Sequence, residues 1–258
     1  IAGSDSGGGA GIQADLRAFA FHRVHGTSAI TCVTAQNTLG VTRVDALPPE
    51  AVVAQIDAVV SDIGVGAVKT GMLLNADIIT VVADALARYE FASIAIDPVM
   101  VSRTGAQLID NDAADIIRDR LLPLAHVLTP NCYEAELLSG SPIQSVEDMK
   151  TAARVLHALG AKAVMVKGGG LSGAARGTDV WFDGDRLEVL ATPPIPTRHT
   201  HGTGCTLSAA IAARLALGSS PWEAAQLAKT YVTKAIAHPL AIGRGQGPIG
   251  HFFPLLDA

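Results

Sequence analysis

The 258-residue sequence has three cysteines, 4% aromatic residues and no run of lysine or arginine, and each shortage closes a class of function. Cys32, Cys132 and Cys205 show neither a CxxC pair nor Cys/His metal spacing, so neither a disulfide framework nor a zinc site is expected. A reducing cytoplasm is the expected compartment. Nineteen Lys+Arg against 24 Asp+Glu leave a formal net charge of −5. Without a basic patch the chain is expected to bind neither nucleic acid nor an anionic membrane surface. The longest apolar stretches, such as 78–82 and 209–213, fall far short of the roughly 20 residues that cross a bilayer, so a soluble protein is expected. Ile1-Ala2-Gly3-Ser4-Asp5 lacks the basic leader and apolar core of a signal peptide. With no initiator Met, the sequence is expected to begin partway along a strand, a few native residues having been left off.

What is present in quantity is apolar bulk. With 49% hydrophobic and 17% charged residues, the chain is expected to fold as one α/β domain over 1–258 with a sizeable core. Runs of β-branched residues at 27–33, 67–69, 93–96, 126–128 and 163–166 predict strands. Between them, 49–62, 76–89, 113–122 and 145–159 place apolar residues at three- and four-residue spacing, as helices covering a sheet do. The alternation predicts a layered α/β sandwich with a mostly parallel sheet. One stretch breaks it: 179–182 and 186–190 alternate around Asp183-Gly184-Asp185, which predicts an antiparallel edge hairpin. The alanine-rich segments 204–217 and 221–237 predict two late helices, the second opened by Pro221.

Three groups of residues could carry chemistry. Gly3-Ser4-Asp5-Ser6-Gly7-Gly8-Gly9-Ala10-Gly11 precedes a helix with Gln13 and Asp15, and its glycines would let backbone approach a ligand closely. It matches neither the P-loop nor the dinucleotide fingerprint, and a tight strand-to-helix turn explains it equally well. Thr200-His201-Gly202-Thr203-Gly204-Cys205-Thr206 leads into a helix whose N–H groups and dipole suit a transferring phosphoryl group. Cys205 in that first turn is expected to ionise readily and serve as base or nucleophile, or else to be a small buried hydrophobe. The third group closes the predicted strands: Gln36-Asn37, Lys69-Thr70-Gly71-Met72, Asp97-Pro98-Val99-Met100, Thr129-Pro130-Asn131 with Glu134, and Lys167-Gly168-Gly169. Each is an ordinary turn by itself, but in an open α/β sheet all five would meet in one crevice. Cys32 is assigned to packing and Cys132 to a loop.

Together these motifs resemble the hydroxymethylpyrimidine/phosphomethylpyrimidine kinases of thiamine biosynthesis, in the ribokinase-like superfamily. The residues that carry the likeness are Ile1 through Asp15, Thr34-Ala35-Gln36-Asn37-Thr38, Lys69 through Met72, Asp97 through Met100, Thr129-Pro130-Asn131, Val166 through Gly169 and His201 through Thr206. Sugar kinases of the superfamily have Asp where Cys205 stands. The resemblance implies a three-layer α/β/α sandwich and a phosphotransferase using ATP and Mg2+. Its acceptor would be 4-amino-5-hydroxymethyl-2-methylpyrimidine and then the monophosphate. It implies Gln36 as the main ring-reading residue, with Ala10, Asp15, Met72, Gly3 and Thr34 around the same pocket. Thr200 through Gly204, including Gly202 and Thr203, would form an anion hole, with Cys205 beside the hydroxymethyl oxygen. Asp97 and Glu134 would support magnesium through water, and Lys167, Asn131 and Thr200 the nucleotide. The family implies a homodimer.

Two positions depart from its pattern. Gly170 stands where relatives have His, and Arg244 where they have Lys; Arg244 keeps a cation that could hold the acceptor's phosphate, or is a surface residue of a flexible loop. Alternatives of different kinds remain a pyridoxine/pyridoxal kinase, a non-catalytic pyrimidine-binding regulatory domain and, on glycines alone, a nucleotide-dependent dehydrogenase.

Overall fold

Ile94 and Ile96 enter one apolar core and Ala95, between them, enters another. Such two-sided burial is what a strand acquires when helices cover both faces of its sheet. The computed structural model describes residues 1–100 and 111–256. In chain order the strands are β1 (Ala2–Asp5), β2 (Ile30–Asn37), β3 (Gly40–Ala46), β4 (Val68–Thr70), β5 (Ile94–Ile96), β6 (Val127–Leu128), β7 (Val164–Lys167), β8 (Thr178–Phe182) and β9 (Leu187–Ala191). The helices are α1 (Gly11–Phe21), α2 (Pro49–Asp62), α3 (Ala76–Tyr89), α4 (Asn111–Ile116), α5 (Cys132–Ser139), α6 (Val146–Ala158), α7 (Thr203–Ala216) and α8 (Pro221–Ala237).

The strands run in the order β3-β2-β1 and β4-β5-β6-β7-β8-β9. The two groups meet where the Ile1 amino group donates to Lys69 O at 2.8 Å and Gly71 N donates to Ile1 O at 2.9 Å. Pairing is parallel from β4 through β7 and between β1 and β2, and antiparallel at both margins, β2 with β3 and β7-β8-β9. Helices α2 through α6 cover one face around Ile96, Leu128, Val164 and Val166. Helices α7 and α8, with α1 against α7, cover the other around Ala95, Met165 and Trp181. No helix among the described residues is long and apolar enough to cross a membrane.

The mostly parallel sheet and its edge hairpin stand as expected, and the deviations have local causes. Strand β3 was not foreseen: it is a second antiparallel margin, half-exposed to exposed along its length, so no hydrophobic alternation marks it. The expected strand 27–33 begins at Ile30 and runs on to Asn37, because pairing with β3 extends it. The expected helix 113–122 is α4 followed by a π-helical turn over Ile117–Leu121, which prepares the entry of Pro123. Cys132 opens α5 rather than lying in a loop, and its thiol donates to Lys167 O at 3.5 Å.

Leu128 is fully buried between the sheet and its helices. Leu128→Ala is expected to cost about 2–5 kcal/mol, seen as a lower urea midpoint with unchanged slope.

Candidate active site

Strand β1 ends at Asp5, whose buried carboxylate organises the glycine loop. It accepts from Gly7 N at 2.8 Å, Gly9 N at 3.1 Å and Ala10 N at 2.8 Å, and its Oδ2 lies 2.9 Å from Nε2 of His201. Burial alone would raise its pKa, but the His201 contact and the Ala10 and Gly7 N–H groups hold it below the usual carboxylate range. Helix α1 has no capping side chain at Ala10, and the strand-end carboxylate instead fixes the loop that leads into it, through the Gly9 and Ala10 N–H groups.

At the tip of β2, the Gln36 carboxamide lies 3.2 Å from Nε2 of His201 and 3.3 Å from Thr34 Oγ1. Thr34 is buried and its hydroxyl reaches Ser4 O at 3.0 Å. His201 leads into α7 through Gly202, which has φ 82° and whose Cβ, if present, would lie 1.7 Å from Gly9 O. Only glycine fits there. The first turn of α7 also has no capping side chain, leaving the N–H groups around Thr203, Gly204 and Cys205 suited to an anion. The Gln36 amide and the first turn of α7 are thus joined by one histidine. Thr200 closes the same turn, its carbonyl accepting from Thr203 Oγ1 at 2.7 Å.

Beneath this turn, Lys69 Nζ donates to both oxygens of Asp15 at 2.9 and 2.8 Å, with both side chains buried. Burial disfavours the ammonium, but Asp15, with Cys205 and Asp97 nearby, more than restores it, so Lys69 stays charged. Asp15 therefore holds a lysine beside Cys205. The thiol itself departs from expectation. Its pKa is pushed up to about 11, first by burial and further by Asp15 and Asp97, against Lys69 and the Gly11 N–H that favour the thiolate. The helix N-terminus is outweighed by desolvation and two carboxylates. Met72 and Gly3 stand together on the pocket wall: a Cβ on Gly3 would come 2.8 Å from Met72 Cε.

The strand ends β5, β6 and β7 supply a second charged group. Lys167 Nζ donates to Asp97 Oδ1 at 2.6 Å, and Ser208 of α7 reaches Asp97 Oδ2 at 3.5 Å. Asn131 caps α5 by accepting from Glu134 N at 2.9 Å, while Glu134 Oε2 accepts from Asn131 N at 2.8 Å. Burial, helped by Asp97, lifts Glu134 to about 7 against the pull of Lys167 and two backbone N–H groups. Asp15, Asp97 and Glu134 are all buried, facing the buried Lys69 and the partly exposed Lys167. Fully ionised, the cluster would carry one uncompensated negative charge. Among the described residues no three His, Cys, Asp or Glu side chains could hold a metal by themselves. The donor set still fits Mg2+, which takes one or two carboxylates and completes its shell with water and substrate phosphates.

Arg244 is exposed, in a loop tied to the β2–β3 turn by Gln246 N donating to Thr38 O at 3.0 Å and Gly245 N to Thr38 Oγ1 at 3.2 Å. That places it near the Gln36 end of the crevice. Gly170 lies in a short helical turn with open space where a side chain would begin, so the departure there leaves the local geometry intact. From sequence, Asp5, Lys69 and His201 are named only as members of their motifs, with no individual role for their side chains, and His251 is not named at all. His251, whose pKa burial lowers to about 4, is neutral and contacts Thr206 Oγ1 at 2.8 Å at the start of α7. Their motifs could be read from the sequence, but the partners Asp15, His201 and Thr206 that give Lys69, Asp5 and His251 their roles lie far along the chain.

Two measurements check the electrostatics. Native alkylation of Cys205, read by peptide mass spectrometry across pH, is expected to keep accelerating until pH nears 11. At neutral pH it is expected to run roughly 100-fold slower than at an ordinary thiol. Lys69→Met is expected to destabilise by about 3–5 kcal/mol by stranding Asp15, and adding Asp15→Leu to recover much of the loss, both read by chemical denaturation.

Residues 5–250 match the family model described as phosphomethylpyrimidine kinase. A hydroxymethylpyrimidine/phosphomethylpyrimidine kinase of Synechococcus elongatus is 64% identical over 255 residues, 99% of this chain and 97% of the relative. Among solved structures, a Bacillus subtilis pyridoxal kinase in complex with ADP superposes with TM-score 0.91 at 41% identity, covering 97% of this chain and 95% of that one. A phosphomethylpyrimidine kinase of Clostridium difficile superposes with TM-score 0.81 at 41% identity, covering 91% and 96%. With its glycine loop, its strand-end charges and its α7 turn arranged as described, the chain belongs to the phosphomethylpyrimidine kinase family.

Proposed function

We propose that this chain transfers phosphoryl groups from ATP first to the hydroxymethyl group of 4-amino-5-hydroxymethyl-2-methylpyrimidine and then to the resulting monophosphate. The observation that carries it is the junction at His201, which puts the Gln36 amide and the first turn of α7 at one crevice. Gln36 offers both a donor and an acceptor, the complement of an amino group beside a ring nitrogen. Ala10, Gly3, Met72 and Thr34 shape the space around the ring. The N–H groups of Gly202 through Cys205 meet the charge that develops on the transferring group. Lys167, Asn131 and Thr200 hold the nucleotide's phosphates, and Arg244 draws the phosphate of the second acceptor. Asp97 and Glu134 would hold Mg2+ through water; when bound, the ion neutralises triphosphate charge.

Cys205 serves the first transfer. An alcohol must give up its proton to attack, whereas a phosphate monoester, with its second pKa near about 6, is already largely ionised. With its pKa pushed up to about 11, Cys205 supplies a thiolate that is scarce at neutral pH but strongly basic, taking the alcohol's proton to return to the thiol, and Lys69 beside it stabilises the anion when it forms. Lys69 and Asp15 therefore support the proton transfer and do not read the ring. The likeness to pyridoxal kinase favours a second acceptor of similar size, a hydroxymethyl pyridine, as a weaker substrate.

Phosphorus NMR of the product from the pyrimidine alcohol and Mg-ATP is expected to show a pyrophosphate ester; a higher kcat/KM for pyridoxal would overturn the assignment. Cys205→Ala is expected to lower kcat/KM for the free alcohol by about 10^2-fold or more and to spare the monophosphate, as loss of a general base implies. Equal losses for both acceptors would refute the role of the thiol.

A further inference from the structure

Nε2 of His201 lies 2.9 Å from Asp5 Oδ2 and 3.2 Å from Gln36 Nε2, while Gln36 Oε1 lies 3.3 Å from Thr34 Oγ1. A ring nitrogen carries at most one proton. Asp5 is a buried carboxylate, and a bare lone pair at 2.9 Å would repel it, so Nε2 must present its N–H there. It cannot then accept a hydrogen bond from an amide NH2. The proton count therefore requires the amide rotated by a half-turn about its terminal bond, with the carbonyl oxygen facing His201 and sharing the N–H with Asp5.

A second constraint arises at the other end of the same amide. Thr34 Oγ1 lies 3.0 Å from Ser4 O and 3.3 Å from Gln36. Its hydroxyl has one proton, and the Ser4 carbonyl can only accept. The hydroxyl donates to Ser4 and is left to accept from Gln36, whose end there must be the NH2 group. Two independent proton counts, one at a histidine and one at a threonine, require the same orientation. Amide oxygen and nitrogen differ by a half-turn about the terminal bond, so the count decides what heavy-atom positions cannot.

With one lone pair directed to His201 and one N–H to Thr34, Gln36 keeps one acceptor and one donor in a set order. If the ring's hydroxymethyl group faces the first turn of α7, the neighbouring exocyclic group lies on the His201 side against the amide oxygen, which suits an amino group beside an unprotonated ring nitrogen. In that same pose a carbonyl beside a ring N–H sets acceptor against acceptor and donor against donor. We propose that His201, held by Asp5, is a positioning residue that locks the Gln36 amide in this orientation and so selects amino-substituted over oxo-substituted rings. Room for the imidazole comes from Gly9, where a Cβ would lie 2.3 Å from His201 Cδ2. The selectivity rests on the pyrimidine-kinase assignment; the orientation does not.

Nitrogen-15 NMR of the wild-type protein tests the orientation without substrate: the proton of His201 is expected on Nε2, and a neutral ring protonated only on Nδ1 would overturn it. The selectivity is read as the ratio of kcat/KM for the amino-pyrimidine alcohol to that for its 4-oxo analogue. His201→Ala is expected to lower this ratio about tenfold, the scale of one hydrogen bond, with the KM for Mg-ATP unchanged. His201→Gln, which keeps an N–H donor of similar reach, is expected to retain it. In a Gln36→Ala background, His201→Ala is expected to leave the ratio where it is. An equal loss for both acceptors would make His201 a structural part of the turn and overturn the proposal. Failure of the wild type to phosphorylate either alcohol would sink the pyrimidine-kinase assignment instead, and the NMR result would still stand for the orientation. Should His201→Ala not fold, the tautomer and the His201→Gln ratio decide.

Discussion

The carboxylate of Asp5 is where the first loop and the late His201 motif become one structure. It satisfies loop N–H groups that α1 cannot, and with the same oxygen pair it meets a histidine 196 residues away in sequence. Remove that carboxylate and the glycines of the loop have no reason to hold a single conformation, since glycine contributes freedom and no packing. Its position is set in turn by β1, a central strand between β2 and β4, so the precision of the site derives from the sheet. The same logic places the other functional groups at the carboxyl ends of parallel strands, where neighbouring chains run in one direction and their turns open on one side.

A second theme is charge held out of water. Two lysines and three carboxylates sit under the start of α7. Each lysine is paired with an aspartate, and Glu134 remains as the surplus acid, which is why burial lifts it. Burial, with Asp15 and Asp97 nearby, leaves the thiol in surroundings that favour its proton, Lys69 notwithstanding. Such a site is electrostatically incomplete without a cationic partner, and this matches the demands of a kinase that handles a polyanion and its counter-ion.

Much of this was legible in the chain. The β-branched runs and helical spacings located the parallel strands and their covering helices, and Asp183-Gly184-Asp185 marked the β8–β9 hairpin, because these signals are local. Strand β3 was illegible because exposure on both faces erases alternation, and the π-turn after α4 because it depends on how Ile117 and Leu121 meet the core. The motifs named Gln36, Cys205, Asp97 and Lys167, but not what pairs with what. Asp15 and Lys69 are 54 residues apart, and nothing in either neighbourhood announces the other. The sequence leaves the thiol with two readings, easily ionised or simply buried, for the same reason: a helix terminus can be read locally, whereas desolvation is a property of the assembled molecule.

The backbone of His201 is paired with the stretch around Pro248: its N–H donates to Gly247 O at 3.2 Å, and its carbonyl accepts from Ile249 N at 3.2 Å. A ribosome must therefore deliver residues 247–249 before the turn into α7 can settle, although every strand of the sheet precedes them in the chain.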